Sequence, residues 1–263
     1  MFEERSFSLR PEGKAIRTQL SENDNPSIKS ADTILTEGKI TDCQPVPRGS
    51  NYVYLLSLKR NGENARAIYK PRRGEAPLWD FPEGTLYQRE CAAYLVSEAL
   101  KWSLVPTTII REGPYGVGMM QWFVHTKQAT DYALLFESKI VEFKQIAVFD
   151  WLVNNADRKA GHCLEDRDGR LWFIDHGLTF NEVPKLRTVI WDFAGQRVPE
   201  ELLADLESLC PHLADTGALA EALSQLLSHR EIQALRQRLT GILKNPVFPS
   251  SYGSRHSVPW PPY

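Results

Sequence analysis

"NNADRKAGHCLEDRDGRLWFIDHGLTF", residues 154–180, sets one acid, Asp157, in a polar turn and a second, Asp175, at the end of a strand-like run. Between them "HCLED" and "LWFID" read as two short strands around the turn "RDGR", and a hairpin of that length brings its two ends together. Asp175 follows Asp157 by 18 residues in sequence, but the hairpin predicts that both carboxylates serve one site. His162 lies between them. Just upstream, "ALLFESKIVEFKQIAVFDWLVNN" reads as one long helix. Its second half is apolar on nearly every side, which predicts a buried helix, and Asp150 interrupts its densest apolar stretch, "IAVFDWLV".

Further upstream the pattern is β-like from Ile34: "ILTEGKITDCQPV", a "PRGSN" turn, "YVYLLSLKR", an "NGEN" turn and "ARAIYKP". Thr85 is placed to cap a helix over "LYQRECAAYLVSEALKW", in which Tyr87, Cys91, Tyr94 and Leu95 recur at helical spacing. Two strands, "TTIIREG" and "VGMMQWFV", follow around a "GPYG" turn. Downstream of residue 180 the chain is helical, with Pro199 suited to a first turn and a capping box from Ser228 to Glu231. The expected fold class is α+β. The expected division is a loosely ordered arm over residues 1–31, a β-rich part with one helix over 32–124, a helical part over 125–245, and an extended Pro-rich tail over 246–263.

Composition narrows the function. The chain has 263 residues and a formal charge of -2, with an isoelectric point near 6.3, and neither sign gathers into a long block. That argues against a nucleic-acid binder or a polybasic membrane anchor. No apolar run is long enough to span a bilayer. The four cysteines are widely scattered and match neither a zinc-knuckle spacing nor a disulfide scaffold, which fits reduced thiols in the cytoplasm.

Four polar residues break otherwise apolar patterns: Lys70 ending "ARAIYK", Glu90 inside the helical stripe, Asp157 and Asp175. Singly, each has an ordinary explanation as a strand-edge lysine, a solvent-facing glutamate or a turn-capping aspartate. Together, in this order, they match the parts of a phosphoryl-transfer site. In such a site a strand lysine holds phosphates and a helix glutamate orients it. One aspartate positions the nucleophile, and another binds the metal.

The segments "NADR", "IDHG" and "AIYKP" resemble the phosphatidylinositol 3- and 4-kinase-like superfamily. They are nearest in motif to type II phosphatidylinositol 4-kinases and related bacterial kinase-like proteins, and the likeness extends over residues 46–180 by element order. It implies a bilobal protein-kinase-like fold with a β-rich N-lobe and a mainly α-helical C-lobe, ATP as cofactor, and Mg2+ or Mn2+. It makes Lys70 the phosphate-binding lysine, Glu90 its ion-pair partner, Asp157 the catalytic aspartate and Asp175 the principal metal ligand. Gly49, Ser50 and Asn51 would lie over the phosphates. Gln121, Trp122, Phe123 and Val124 would form the inter-lobe linker around adenine.

Two positions depart from the family pattern. His162 stands where the family carries an asparagine as second metal ligand, and an imidazole suits manganese better than magnesium. Lys159 replaces the histidine of the family's "DRH", and would meet the transferring phosphoryl group as a cation. The reaction implied is transfer of the γ-phosphate to a hydroxyl on a protein or small molecule, rather than on an inositol lipid, because no membrane-binding helix is evident. Two alternatives stay open. One is a nucleotide-binding pseudokinase that lost its second metal ligand; the other is a metal-dependent hydrolase built on His162, Asp175 and His176. The tail "VPWPPY" either docks a partner or folds back on its own surface.

Overall fold

The computed structural model describes residues 28–47, 51–126, 132–251 and 257–262. Its first half is a sheet meander. Strands β1 (Lys39–Val46), β2 (Val53–Arg60) and β3 (Glu63–Pro71) pair antiparallel in sequence order. The tight β2–β3 turn uses Asn61 and Gly62, both at positive φ, as a two-residue hairpin turn requires. Helix α2 (Leu86–Ala99) then crosses, and β4 (Thr108–Gly113) and β5 (Gly116–Trp122) close the sheet in the order β1-β2-β3-β5-β4. Inserting β5 beside β3 places Lys70 opposite Met119, in the middle of the sheet and not on a solvated edge.

Alternation decides the two faces of this sheet. Leu56, Leu58, Ala67, Tyr69 and Met120 point one way and pack on Ile34 and Leu35. Those two belong to helix α1 (Ile28–Glu37), where the sequence predicts the end of an arm followed by a strand. The stretch "ILTEG" reads as the start of the β-like run, but Ala31, Ile34 and Leu35 are buried together, the i, i+3, i+4 spacing of a helix face. Gly38 ends that helix by donating its N–H to Ile34 O at 2.8 Å.

Helix α2 packs against β4 and β5, with Glu90 against the Lys70 face. Its N-terminus is not capped by Thr85, whose hydroxyl donates to Pro82 O. The Glu75 carboxylate takes over, accepting from Leu86 N at 3.1 Å and Tyr87 N at 2.8 Å, so an acid from the preceding loop meets the positive end of the helix.

The second half is helical. The long run predicted as one helix is two, α3 (Tyr132–Ser138) and α4 (Ile140–Val153). Phe143, Ile146, Val148, Phe149, Leu152 and Val153 make α4 the buried centre of the larger core, each large side chain worth roughly 1.5–3 kcal/mol in burial. Asn154, in the left-handed region, stops it. The predicted hairpin follows as β6 (Cys163–Glu165) and β7 (Leu171–Phe173). Helices α5 (Glu200–Leu213), α6 (Ala218–Ser224) and α7 (His229–Lys244) complete the described chain. The expected capping box opens α7: Glu231 N donates to Ser228 Oγ, and Ser228 N donates to Glu231 Oε2.

The tail folds back. Ser257 O accepts from Thr188 N and Trp191 Nε1, and Pro262 O accepts from Ala160 N at 2.9 Å, beside the loop that carries Asp157. Among the described residues no helix is long and apolar enough to cross a membrane.

Candidate active site

Lys70 projects from β3 toward α2, and its Nζ lies 2.5 Å from Glu90 Oε1 and 2.8 Å from Asp175 Oδ1. Glu90 is 1% exposed, so it needs both of its partners: the lysine on one oxygen and the His176 backbone N–H on the other, at 2.8 Å. Burial pushes the Glu90 carboxyl up, and Lys70 opposes that shift. Burial would lower the Lys70 ammonium, but Asp175 and Glu90 hold it above its ordinary value, so the lysine stays charged.

Asp175 follows β7 at φ +62, a left-handed conformation that costs a non-glycine residue about 1 kcal/mol. Its side chain keeps 45% of its surface exposed. Enclosure pulls its carboxyl upward, while the Lys70 ammonium and then His162 more than offset this and hold it well below the usual carboxylate range. It is ionised and open to a ligand.

His162 lies in a short turn after the Asp157 loop, with Nε2 at 3.3 Å from Asp175 Oδ2. Burial pushes its pKa down to about 4, so the ring is neutral at pH 7. Its Nδ1 accepts a long 3.4 Å bond from Lys159 N, which leaves the proton on Nε2, facing Asp175. Asp157 is positioned by its own loop: its N–H donates to Asn155 Oδ1 at 2.9 Å, and its Oδ2 lies 3.2 Å from Lys159 Nζ. Burial raises the Asp157 carboxyl, and Lys159 partly counters this, the direction expected of a group that accepts a proton.

Five of these six side chains border one space. A cavity of about 230 Å³ is lined by Lys70, Glu90, Asp157, Lys159 and Asp175 together with Asn51, Tyr52, Leu78, Gly177 and Leu178, and His162 touches it through Asp175. Asn51 lines the cavity, and its Oδ1 accepts from Ala76 N, bracing the loop after β3. Gly49 and Ser50 lie outside the described residues.

The linker expectation fares differently. Gln121 and Trp122 belong to β5, and Gln121 is buried with its Nε2 donating to Thr108 Oγ1. The N–H groups of Trp122 and Phe123 donate to Thr107 O and Arg66 O. Trp122 lines a separate cavity of about 310 Å³ with Asp42, Ser57, Arg66 and His125. Gln121, paired with Ile68, lies on the same sheet face as Lys70, and the residues lining the 230 Å³ cavity include none of Gln121, Trp122, Phe123 and Val124.

The donor set suits a divalent cation held with a phosphate ligand. Asp175 offers ionised oxygen and His162 offers a neutral nitrogen. Among the described residues no group of three or more His, Cys, Asp or Glu forms a closed metal cage, so further ligands would have to come from a bound anion and water, the usual arrangement for cations that travel with phosphates. His176 does not join this pair: it is fully buried and its Nε2 meets Arg158. Asp150, Asn155 and Arg158 were not among the residues singled out from sequence for the site, although they hold both acidic loops. Asp150 was visible as a charge inside an apolar helix.

A five-stranded antiparallel sheet with helices α1 and α2 packed on it, set against a mainly helical half and meeting it at this cavity, defines a bilobal kinase-like protein. The chain belongs to the phosphatidylinositol 3- and 4-kinase family, whose family model matches residues 37–243. Protein Rv2133c of Mycobacterium tuberculosis is 38% identical, with 88% of this chain and 94% of that protein covered. Among solved structures, the hydra Fam20 protein determined with sugar aligns at TM-score 0.50 and 15% identity, over 88% of this chain and 91% of its own. The proinflammatory kinase CtkA of Helicobacter pylori aligns at TM-score 0.48 and 14% identity, over 79% and 94%.

Proposed function

We propose that this chain is an ATP-dependent phosphotransferase that moves the γ-phosphate to a hydroxyl group on a protein or small molecule, assisted by Mg2+ or Mn2+. The observation that carries this reading is the meeting of Lys70, Glu90, Asp157 and Asp175 on one open cavity, where only Asp175 is substantially exposed. Family membership supports the reaction class.

In this reading Lys70 binds phosphate oxygens, and Glu90 keeps its ammonium aimed into the cleft. Asp157 accepts a hydrogen bond from the acceptor hydroxyl, orients its oxygen for in-line attack on the γ-phosphorus, and takes the proton as the bond to the ADP oxygen breaks. Lys159 faces the transferring group with a positive charge. Asp175 would hold the cation, and His162 would add Nε2 once its proton moves to Nδ1, at the expense of the long Lys159 bond. A cation held there would supply positive charge against the phosphate oxygens. A nitrogen ligand favours manganese over magnesium.

The test is incubation with ATP labelled at the γ-phosphate and either cation, following ADP release and label on protein. Wild type should release ADP or label itself, faster with Mn2+, and Asp157→Ala and Asp175→Ala should not. Wild type that binds ATP tightly but never turns it over, with every acceptor supplied, would mark a nucleotide-binding protein instead.

A further inference from the structure

Asp150 sits inside the most apolar helix of the chain, and the phosphotransfer scheme above gives it no role. It is 1% exposed, and Arg158, at 0%, lies on it through two bonds, Nε to Oδ2 at 2.8 Å and Nη2 to Oδ1 at 3.0 Å. The same guanidinium reaches past this pair. Its Nη1 donates to Ile174 O at 2.9 Å, and its Nη2 lies 2.7 Å from His176 Nε2. Arg158 therefore grips the residue before Asp175 and the residue after it.

We propose that Asp150, Arg158 and His176 form one buried clamp that holds Asp175 in its metal-binding conformation, with His176 acting as a positioning residue for the cation. The inference rests on the phosphotransferase reading.

Three features of the geometry support it. An arginine has donors only, so His176 Nε2 must accept and the ring proton sits on Nδ1. That nitrogen is buried and has no partner, so the ring is kept for its acceptor and its shape and not for its donor. The Phe149 ring stands perpendicular to it at 5.7 Å and fixes its plane. Next, Asp175 keeps its left-handed backbone only if its neighbours are held, and both are: Ile174 O by Arg158 and His176 N by Glu90. Finally, Asp150 Oδ1 also accepts from Asn155 Nδ2 at 2.8 Å, and Asn155 Oδ1 receives the Asp157 N–H. One helix carboxylate thus sets the acceptor-side loop and the metal-side loop together. Outer groups of this kind orient metal ligands, and their loss weakens metal binding by about 10–100-fold.

The experiment measures Mn2+ affinity by electron paramagnetic resonance of the free ion, with a non-hydrolysable ATP analogue present, for wild type, His176→Phe and His176→Gln. Near-UV circular dichroism in EDTA reports whether each is folded. His176→Phe should bind Mn2+ at least about tenfold more weakly, and His176→Gln, which restores an acceptor, should return close to wild type. Folded His176→Phe that binds as tightly as wild type overturns the inference, as does folded His176→Gln no better than His176→Phe. If His176→Phe does not fold, the nitrogen NMR spectrum of wild type decides: protonated Nδ1 with bare Nε2 is expected, and the reverse tautomer overturns the clamp. Wild type that binds no Mn2+ with nucleotide overturns the phosphotransferase reading itself, before any variant is compared.

Discussion

Arg89 and Glu90 are adjacent on α2, each 1% exposed, and they pair in opposite directions. Arg89 turns toward the helical half, where it donates to Thr179 O at 2.7 Å and pairs with Glu231 of the α7 capping box. Glu90 turns toward the cleft and pairs with Lys70, which also holds Asp175. The first pair is sealed and opens onto nothing. The second borders a cavity and ends in an exposed carboxylate. Two buried ion pairs one residue apart therefore do different work: Arg89 ties α2 to the C-lobe, and Glu90 aims Lys70 into the cleft.

The sharpest way to separate the two is to break each in turn. Asp175→Ala should lower phosphoryl transfer by at least about a hundredfold and cost less stability than breaking a sealed pair, because Lys70 keeps Glu90 as a partner; ADP release and a melting curve measure the two effects. Arg89→Met should do the reverse. It strands Glu231, at 8% exposure, inside the protein, and costs about 3–5 kcal/mol in urea unfolding, while the protein that remains folded at low temperature keeps its nucleotide affinity. If Arg89→Met instead abolished binding without destabilising the fold, the division of labour would be wrong.

The smallest effect concerns acid. The His162 pKa is depressed from 6.5 to about 4, so between these values the unfolded chain takes up a proton that the folded chain refuses. Stability from this group is therefore complete above pH 6.5 and lost as pH falls toward 4, by up to about 3 kcal/mol. His162→Asn, melted in EDTA across this range, should lose less than wild type. His176, also pushed down by burial, keeps part of the slope in both proteins.

Lys70, Glu90, Asp157 and Asp175 were legible because each is a charge in a place where periodicity calls for an apolar residue or a turn, and because a hairpin joins the last two. Gln121, which the family resemblance put in the linker around adenine, is a buried polar residue whose Nε2 donates to Thr108 Oγ1 inside the sheet. Sequence marks a buried polar group but not its partner, and the partner decides between a site and a structural bond. Asp150 illustrates the opposite omission, since its partners lie eight residues away at Arg158 and five away at Asn155 and become visible only once the loop has folded. Helix α1 was hidden because its apolar face, Ala31, Ile34 and Leu35, is short and runs directly into the β-like stretch from Lys39.

The central claim, that this cavity binds metal-loaded ATP through Lys70 and Asp175, is tested most directly by a thermal-shift titration with ATP plus Mg2+ and then Mn2+, on wild type and Asp175→Ala. At about 100 times the dissociation constant, ligand should stabilise wild type by about 2.7 kcal/mol, with Mn2+ effective at lower concentration and no metal-dependent shift in the variant. A wild type that shows no metal-dependent shift at saturating ATP, or a variant that shifts as much as wild type, would contradict it.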